Sequence, residues 1–187
     1  MSGRIWLSPP HMGGNEIKYI HEAFRTNWVA PLGPNVNGFE QDLVNYTGAG
    51  SVSVLSSGTA AIHLALILLN IKPGDEIIVS SFTFSGSVNP IIYVGATPIF
   101  VDSEPDTWNM DPDLLEKAIM DRHSKGKKIK AILIVHLYGM PAQLDKILKI
   151  ASKYGLPVIE DAAEALGSRY KGKSLGTFGL MGIYSFN

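Results

Sequence analysis

The sequence predicts an α/β protein whose mostly parallel central sheet is flanked by helices on both faces. Three observations carry that prediction. From Ser51 onward, short apolar runs alternate with segments of helical periodicity, separated by glycine, proline and aspartate. The runs are nearly continuous in apolar residues, as in Ile129–Val135, whereas strands buried on one face only would alternate strictly. One run, Val158-Ile159, ends abruptly in two carboxylates, Glu160 and Asp161. Such a stretch reads either as a buried strand delivering charge to the sheet's carboxyl edge, where α/β proteins collect ligands, or as a strand end with an exposed acid. In the first case the acid needs a partner, because burying a lone charge is expensive.

Taken in order, residues 8–14 are rich in proline and glycine and read as a loop. Asn15 is a candidate cap for a helix to about Arg25, with Ile17, Ile20, His21 and Phe24 along one face. Residues 26–36 read as irregular because of Pro31, Gly33 and Pro34, and Trp28 among them is a packing plug or part of a site wall. Phe39, Leu43 and Tyr46 repeat at helical spacing, and Gly48 and Gly50 end that helix. The βα alternation then opens with a strand at 51–55, and Ser56-Ser57-Gly58-Thr59 turns into an apolar helix at 60–69. Pro73-Gly74-Asp75 is a turn, 76–79 a strand, 84–94 a helix despite Pro90, and Thr97–Val101 a strand. Asp111-Pro112 starts a helix to about Met120, with proline in its favoured first turn. Ile129–Val135 is an apolar strand, 142–154 an amphipathic helix and 157–159 the strand before the two acids; the lysine-rich 125–130 is a solvated surface turn.

Bulk properties narrow the function. A chain of 187 residues, 45% hydrophobic with a formal charge of −1, is an ordinary soluble composition with enough length for a sizeable core. There is no basic excess to support nucleic-acid or polyanion binding. Without cysteine there is no disulfide framework, no thiolate zinc site and no cysteine nucleophile, which fits a cytoplasmic protein. The first residues lack the basic start and apolar run of a signal peptide. The most apolar stretch, 60–69, is too short to span a bilayer and is interrupted by His63. Asn45-Tyr46-Thr47 matches a glycosylation sequon that a cytoplasmic protein would not use.

Three stretches are candidate sites. In Ser56–Ala60, Gly58 permits a tight turn, Thr59 adds a hydroxyl and the helix start presents free N–H groups, so the stretch is either an anion site suited to phosphate or a plain capped helix. Residues 167–174, GSRYKGKS, match the phosphate-loop expression G-x-x-x-x-G-K-[ST] in full. That motif needs a strand before it and a helix after it. Here an alanine-rich, helical-looking turn precedes it and a glycine-rich stretch without helical pattern follows, so a surface β-turn carrying Lys171 and Lys173 is the better account. In the third stretch, GTFGLMGIYSFN, a short strand at Ile183-Tyr184 brings Ser185 to the sheet's end, as a second hydroxyl for the same anion or as an ordinary strand terminus. His136, closing a strand, is either catalytic or a satisfied strand-end histidine; the other histidines show no ligand spacing, so no metal site is expected.

In their order, SSGTAAIHLAL, SFTFSGSVNPIIYVGATPIFVD, HLYGMPAQLD, EDAAEALGS and GTFGLMGIYSFN resemble the DegT/DnrJ/EryC1/StrS family, and the match extends back to LSPPHMGGNE. These are sugar aminotransferases of the type I fold that depend on pyridoxal 5'-phosphate (PLP). The EDAAEALGS and YSFN wording is most similar to members that aminate C4 of UDP-4-keto-6-deoxy-N-acetylglucosamine. The resemblance implies that Asp161 pairs with the pyridine nitrogen, keeping it protonated so that the ring acts as an electron sink. Asp161→Asn should then suppress turnover far more than binding. It further implies that Phe84 stacks on the ring, that Gly58, Thr59 and Ala60 bind the phosphate, and that Ser185 joins them. Glu164 stands where most members carry glutamine, near the ring's phenolic oxygen; an ionised glutamate would repel a phenolate there, so Glu164 is either protonated or turned to another partner.

In the family, a lysine three residues beyond the position of Asn187 forms the Schiff base with PLP. The resemblance therefore makes residues 1–187 the amino-terminal segment and most of the large PLP-binding domain, unable alone to turn over. The rest of that domain and a small carboxyl-terminal domain belong to a longer parent, or to the other piece of a divided chain. That parent is expected to be a cytoplasmic homodimer moving an amino group from glutamate to a 4-keto nucleotide sugar, giving a UDP-4-amino-4,6-dideoxy-N-acetylhexosamine. Two other readings stay open: a PLP-dependent sugar dehydratase with histidine in place of the lysine, and a non-catalytic truncated protein of this fold. An NAD-binding Rossmann domain has no support, since no G-x-G-x-x-G follows the first strand.

Overall fold

The computed structural model describes residues 3–4 and 10–186; Ser8 and Pro9 of the expected opening loop, and Asn187, lie outside the described residues. Helix α1 spans Glu16–Arg25 and α2 Pro34–Thr47. Asn15 does precede α1, but its backbone is already helical and its side chain makes no cap bond. The Glu16 carboxylate instead accepts the N–H groups of Gly13 and Gly14. The apolar face of α1 has no buried residue. Residue 34, expected within an irregular stretch, opens α2: proline at the first helical position forfeits only an N–H that had no intrahelical partner. Trp28 packs on the backbone at Gly33, where an added Cβ would lie 3.0 Å from its ring, and its outer half is exposed.

The expected strand at 51–55 does not form. Among the described residues the segment has no ladder partner, the Val54 N–H donates to Glu40 Oε1 at 2.8 Å, and Val54 and Leu55 are exposed. Helix α3, Gly58–Leu68, begins directly after it, capped by Ser57. There follow β1 (Glu76–Ser80), α4 (Ser85–Tyr93), β2 (Thr97–Val101), α5 (Pro112–Ser124), β3 (Ile129–Val135), α6 (Leu144–Tyr154) and β4 (Val158–Asp161). Asp111 caps α5 by accepting the N–H groups of Asp113 and Leu114 at 2.7 and 3.1 Å, as its place before Pro112 predicts. The chain ends in the hairpin β5 (Arg169–Tyr170) and β6 (Lys173–Ser174), then β7 (Met181–Ile183).

The main sheet has the order β2-β1-β3-β4-β7, and every neighbouring pair is parallel. Alternate residues of the buried strands feed two separate cores. Ile77, Val79, Leu133, Val135 and Ile159 pack with Ile62 and Leu66 of α3 and Ile91 of α4. Ile78, Ile132, Ile134 and Val158 pack with Leu115 and Ile119 of α5 and Leu144 and Ile147 of α6. Covering both faces is what permits continuous apolar strands, and each fully buried leucine or isoleucine contributes roughly 1.5–3 kcal/mol.

Two further expectations change near β4. The strand runs through both acids instead of stopping at 159. The turn that follows is not helical: Ala165 N–H bonds back to Ala162 and Ser168 N–H to Ala165, in successive tight turns. The stretch 167–174 is a two-stranded hairpin whose turn residues, Lys171 and Gly172, both have positive φ. That is the geometry matching the right-handed twist of a two-residue hairpin loop, and it leaves no phosphate cradle.

Candidate cofactor site

Asp161 is the last residue of β4, between β3 and β7, with its side chain buried. Ser87 of α4 donates from Oγ to Asp161 Oδ2 at 2.5 Å, and the Ala163 N–H donates to Oδ1 at 3.1 Å. Ser87 in turn lies 2.6 Å from Thr83 Oγ1. Burial pushes the Asp161 carboxyl above its ordinary value; the Ser87 and Ala163 hydrogen bonds and nearby His136 oppose that rise, and Glu164 adds to it.

The first turns of α3 and α4 and the ends of β4 and β7 meet around this acid. A Cβ added at Gly86 would lie 2.8 Å from Thr59 Oγ1 and 2.9 Å from Phe84 Cδ1, so Thr59 leans against α4 one residue before Ser87. A Cβ added at Gly58 would lie 3.4 Å from Ser185 Cβ and 3.6 Å from its Oγ, so Ser185 borders the start of α3. Ser185 N–H donates to Ala163 O at 3.3 Å, two residues past Asp161. The chain of contacts thus joins Ser185, Gly58, Thr59, Gly86, Ser87 and Asp161. A groove of about 760 Å³ reaches Gly58 and Ser185 from outside, lined further by residues 48–57, 176–177 and 179–184, though not by Asp161.

The neighbouring acid does different work. Glu160 is fully buried on the opposite face of β4. Its Oε1 accepts the N–H groups of Phe178 and Gly179 at 2.6 and 2.5 Å; its Oε2 accepts that of Gly176 at 2.9 Å and faces His136 Nε2 at 2.9 Å. The Ala142 N–H donates to His136 Nδ1 at 3.2 Å, which places the ring proton on Nε2, toward Glu160. Burial alone would raise the Glu160 carboxyl, but the bonds from His136, Gly179 and Gly176 outweigh it and hold the group below its ordinary value. His136 is therefore the satisfied strand-end histidine of the two readings, with both ring nitrogens occupied.

Of the other residues singled out, Phe84 caps α4 with its ring largely exposed, 80%. The Ala60 N–H is taken by Ser57 Oγ at 3.1 Å, leaving Gly58 and Thr59 as the N–H groups without an acceptor among the described residues. Glu164 turns to a backbone partner, accepting the Tyr138 N–H at 2.9 Å. Sequence reasoning missed Ser87, Thr83 and the structural part of Glu160. Hydroxyls at 83, 85 and 87 around a helix start were the available signal for the first two; nothing local marked Glu160.

A parallel α/β sheet with a buried acid at its carboxyl edge, beside free helix N–H groups, hydroxyls and an exposed aromatic ring, defines a class of cofactor-binding α/β enzyme domain. The chain belongs to the DegT/DnrJ/EryC1/StrS aminotransferase family, which matches residues 10–187. It is 55% identical, over all of its length, to 48% of EpsN from Bacillus subtilis, named as a pyridoxal phosphate-dependent aminotransferase. It is 42% identical, over 98% of its length, to 48% of a GDP-perosamine synthase from Caulobacter vibrioides. Among solved structures, the PLP form of a sugar aminotransferase from Streptococcus pneumoniae, Spr1654, superposes with a TM-score of 0.89 at 34% identity, covering 98% of this chain and 49% of that one. The chain spans about half the length of the curated relatives it matches.

PLP is the cofactor of this family, and the residues present fit it. Free N–H groups and hydroxyls at Gly58, Thr59 and Ser185 suit a phosphate, the Asp161 carboxylate suits a protonated ring nitrogen, and Phe84 offers an aromatic face.

Proposed function

We propose that this chain is the amino-terminal half of a PLP-dependent sugar aminotransferase that moves an amino group from glutamate to a 4-keto nucleotide sugar. The observation that carries the reading is the buried Asp161 linked through Ser87 and Gly86 to the Thr59 turn. When bound, PLP supplies an electron sink for breaking a bond at the amino-bearing carbon. Asp161 holds a proton on the ring nitrogen. Gly58, Thr59 and Ser185 hold the phosphate, and Phe84 covers the ring. Ala60 contributes packing at the helix start, because its N–H is committed to Ser57. Glu164, bonded to Tyr138, shapes the turn after Asp161. The lysine that would hold PLP covalently is read as lying in the remainder of the parent protein.

The substrate is read as UDP-4-keto-6-deoxy-N-acetylglucosamine, on the likeness of the EDAAEALGS and YSFN stretches. The parent is read as a cytoplasmic homodimer. The exposed apolar face of α1 is a surface for a second subunit or for the rest of the parent to cover, and among the described residues no helix is long and apolar enough to cross a membrane. The GDP-perosamine synthases among the relatives make a GDP-linked sugar the second arm of the test. The parent protein, supplied with glutamate and UDP- or GDP-linked 4-keto-6-deoxy sugars, should yield an amino sugar identifiable by mass and NMR. Product from a 3-keto sugar and from no 4-keto sugar would reject the assignment of the carbon.

A further inference from the structure

We propose that Ser87, braced by Thr83, is a positioning residue that keeps the Asp161 carboxylate ionised and aimed along one fixed direction. The inference rests on the reading of Asp161 given above. Ser87 has one hydroxyl proton and Thr83 has one, and the three oxygens form a chain: Thr83 Oγ1 to Ser87 Oγ at 2.6 Å, Ser87 Oγ to Asp161 Oδ2 at 2.5 Å. An ionised carboxylate only accepts, so Ser87 must donate to it and Thr83 must donate to Ser87. If Asp161 were protonated at Oδ2, the Ser87 bond would have to reverse, with Ser87 Oγ accepting from the acid. The Ser87–Asp161 bond therefore has two directions, one for each protonation state of the acid. With the acid ionised, the chain ends on a charge-assisted O–H···O⁻ bond, which is stronger than a neutral one.

The arrangement also fixes orientation. Ser87 secures Oδ2 and the Ala163 N–H secures Oδ1, so the carboxylate plane cannot rotate, while each oxygen keeps capacity for a further donor. Ser87 is almost completely buried, so no water can replace its hydroxyl without a cavity opening. The helix that carries it is the one that presents Phe84 and touches Thr59 through Gly86, so the acid is registered against both.

Among the described residues, other charged and titratable groups facing Asp161 are few. His136, at the end of β3, favours its ionised form, and Glu164, in the turn after β4, opposes it. Glu160 on β4 points to the opposite face, into its own hydrogen bonds. Of the packed elements, α4 has only Tyr93 and α3 only His63, whose rings contact each other 5.5 Å apart, and β7 has no ionisable residue. Glu76 of β1 lies at the far end of the sheet, paired with Arg122. Ser87 is thus the neutral group best placed to hold the anion.

The test uses the full-length parent protein with Ser87→Ala, Ser87→Thr, Thr83→Val and Asp161→Asn. PLP affinity is measured by fluorescence across pH, alongside kcat, KM and the melting temperature. In wild type, PLP binding should weaken as pH falls and Asp161 takes a proton. Ser87→Ala should move that midpoint to higher pH by about one unit, a roughly tenfold change in proton affinity, and lower kcat with little change in KM. Thr83→Val should shift the midpoint the same way by less, and Ser87→Thr should restore it. A Ser87→Ala protein that melts lower but keeps the wild-type midpoint and kcat overturns the positioning role. If Ser87→Ala does not fold, Thr83→Val decides: an unshifted midpoint overturns the proposal. If Asp161→Asn leaves PLP affinity, its pH dependence and kcat intact, the reading of Asp161 itself fails, whatever Ser87 does.

Discussion

Replacing Glu160 by glutamine changes one atom and should be far more damaging than its size suggests. Each carboxylate oxygen accepts two hydrogen bonds in a site closed to water: Phe178 and Gly179 on Oε1, Gly176 and His136 on Oε2. A glutamine can keep its oxygen on one pair, but its NH2 then faces two donors. His136 cannot relieve the conflict by moving its proton to Nδ1, because Nδ1 accepts the Ala142 N–H. Two charge-assisted bonds are therefore lost with their donors still buried, at about 1.5–3 kcal/mol each. The neutral amide recovers some desolvation free energy, so Glu160→Gln should destabilise the protein by a net of about 2–4 kcal/mol.

Denaturant unfolding of the parent protein measures that loss, and hydrogen exchange localises it to the amides of Gly176, Phe178 and Gly179. The sign with pH follows from the lowered Glu160 carboxyl. Its stabilisation is fully present above the ordinary carboxylate range and is lost as pH falls through its own lower value, so wild type and variant should converge in acid. A variant within about 0.5 kcal/mol of wild type at neutral pH, a change no larger than ordinary surface substitutions, with those amides equally protected, would refute the assignment of Glu160 as the anchor of the 176–179 loop.

Other substitutions probe single features. Arg122 grips buried Glu76 through Nε and Nη2 at 2.9 and 2.6 Å; Arg122→Ala should lower the melting temperature, and adding Glu76→Gln should recover part of the loss by removing the stranded charge. Ser57→Ala removes the cap of α3 and should cost about 1 kcal/mol in chemical denaturation. At Gly182 a Cβ would stand 2.0 Å from the Gly176 carbonyl oxygen, so Gly182→Ala should prevent soluble expression. At Gly38, inside α2, a Cβ meets nothing within 4 Å, and Gly38→Ala should stabilise by about 0.5–1 kcal/mol in the same denaturation assay.

What could be read from the sequence, and what could not, divides by the range of the interaction. Ile129–Val135 was legible as a strand because burial on both faces writes an almost unbroken apolar run. Asp111-Pro112 was legible as a helix start, and Lys171-Gly172 as a turn, because capping and positive φ are settled within four residues. The 51–55 segment has the same local alternation as a strand, yet a strand is a pair, and no described segment pairs with it. The candidate site shows the same division. Asp161 was visible as an acid ending an apolar run, whereas Ser87, which holds it, lies 74 residues away and reaches it only because the fold brings the start of α4 to the carboxyl end of β4. Glu160 and Asp161 are adjacent and chemically alike, so no local rule could separate an anchor for a loop from an acid aimed at a ligand. The strand's two-residue period does so, by sending one carboxylate to the core of α5 and α6 and the other to the face where α3 and α4 begin. That division makes Glu160→Gln and Asp161→Asn opposite experiments on neighbouring atoms, the first read in stability and the second in cofactor chemistry.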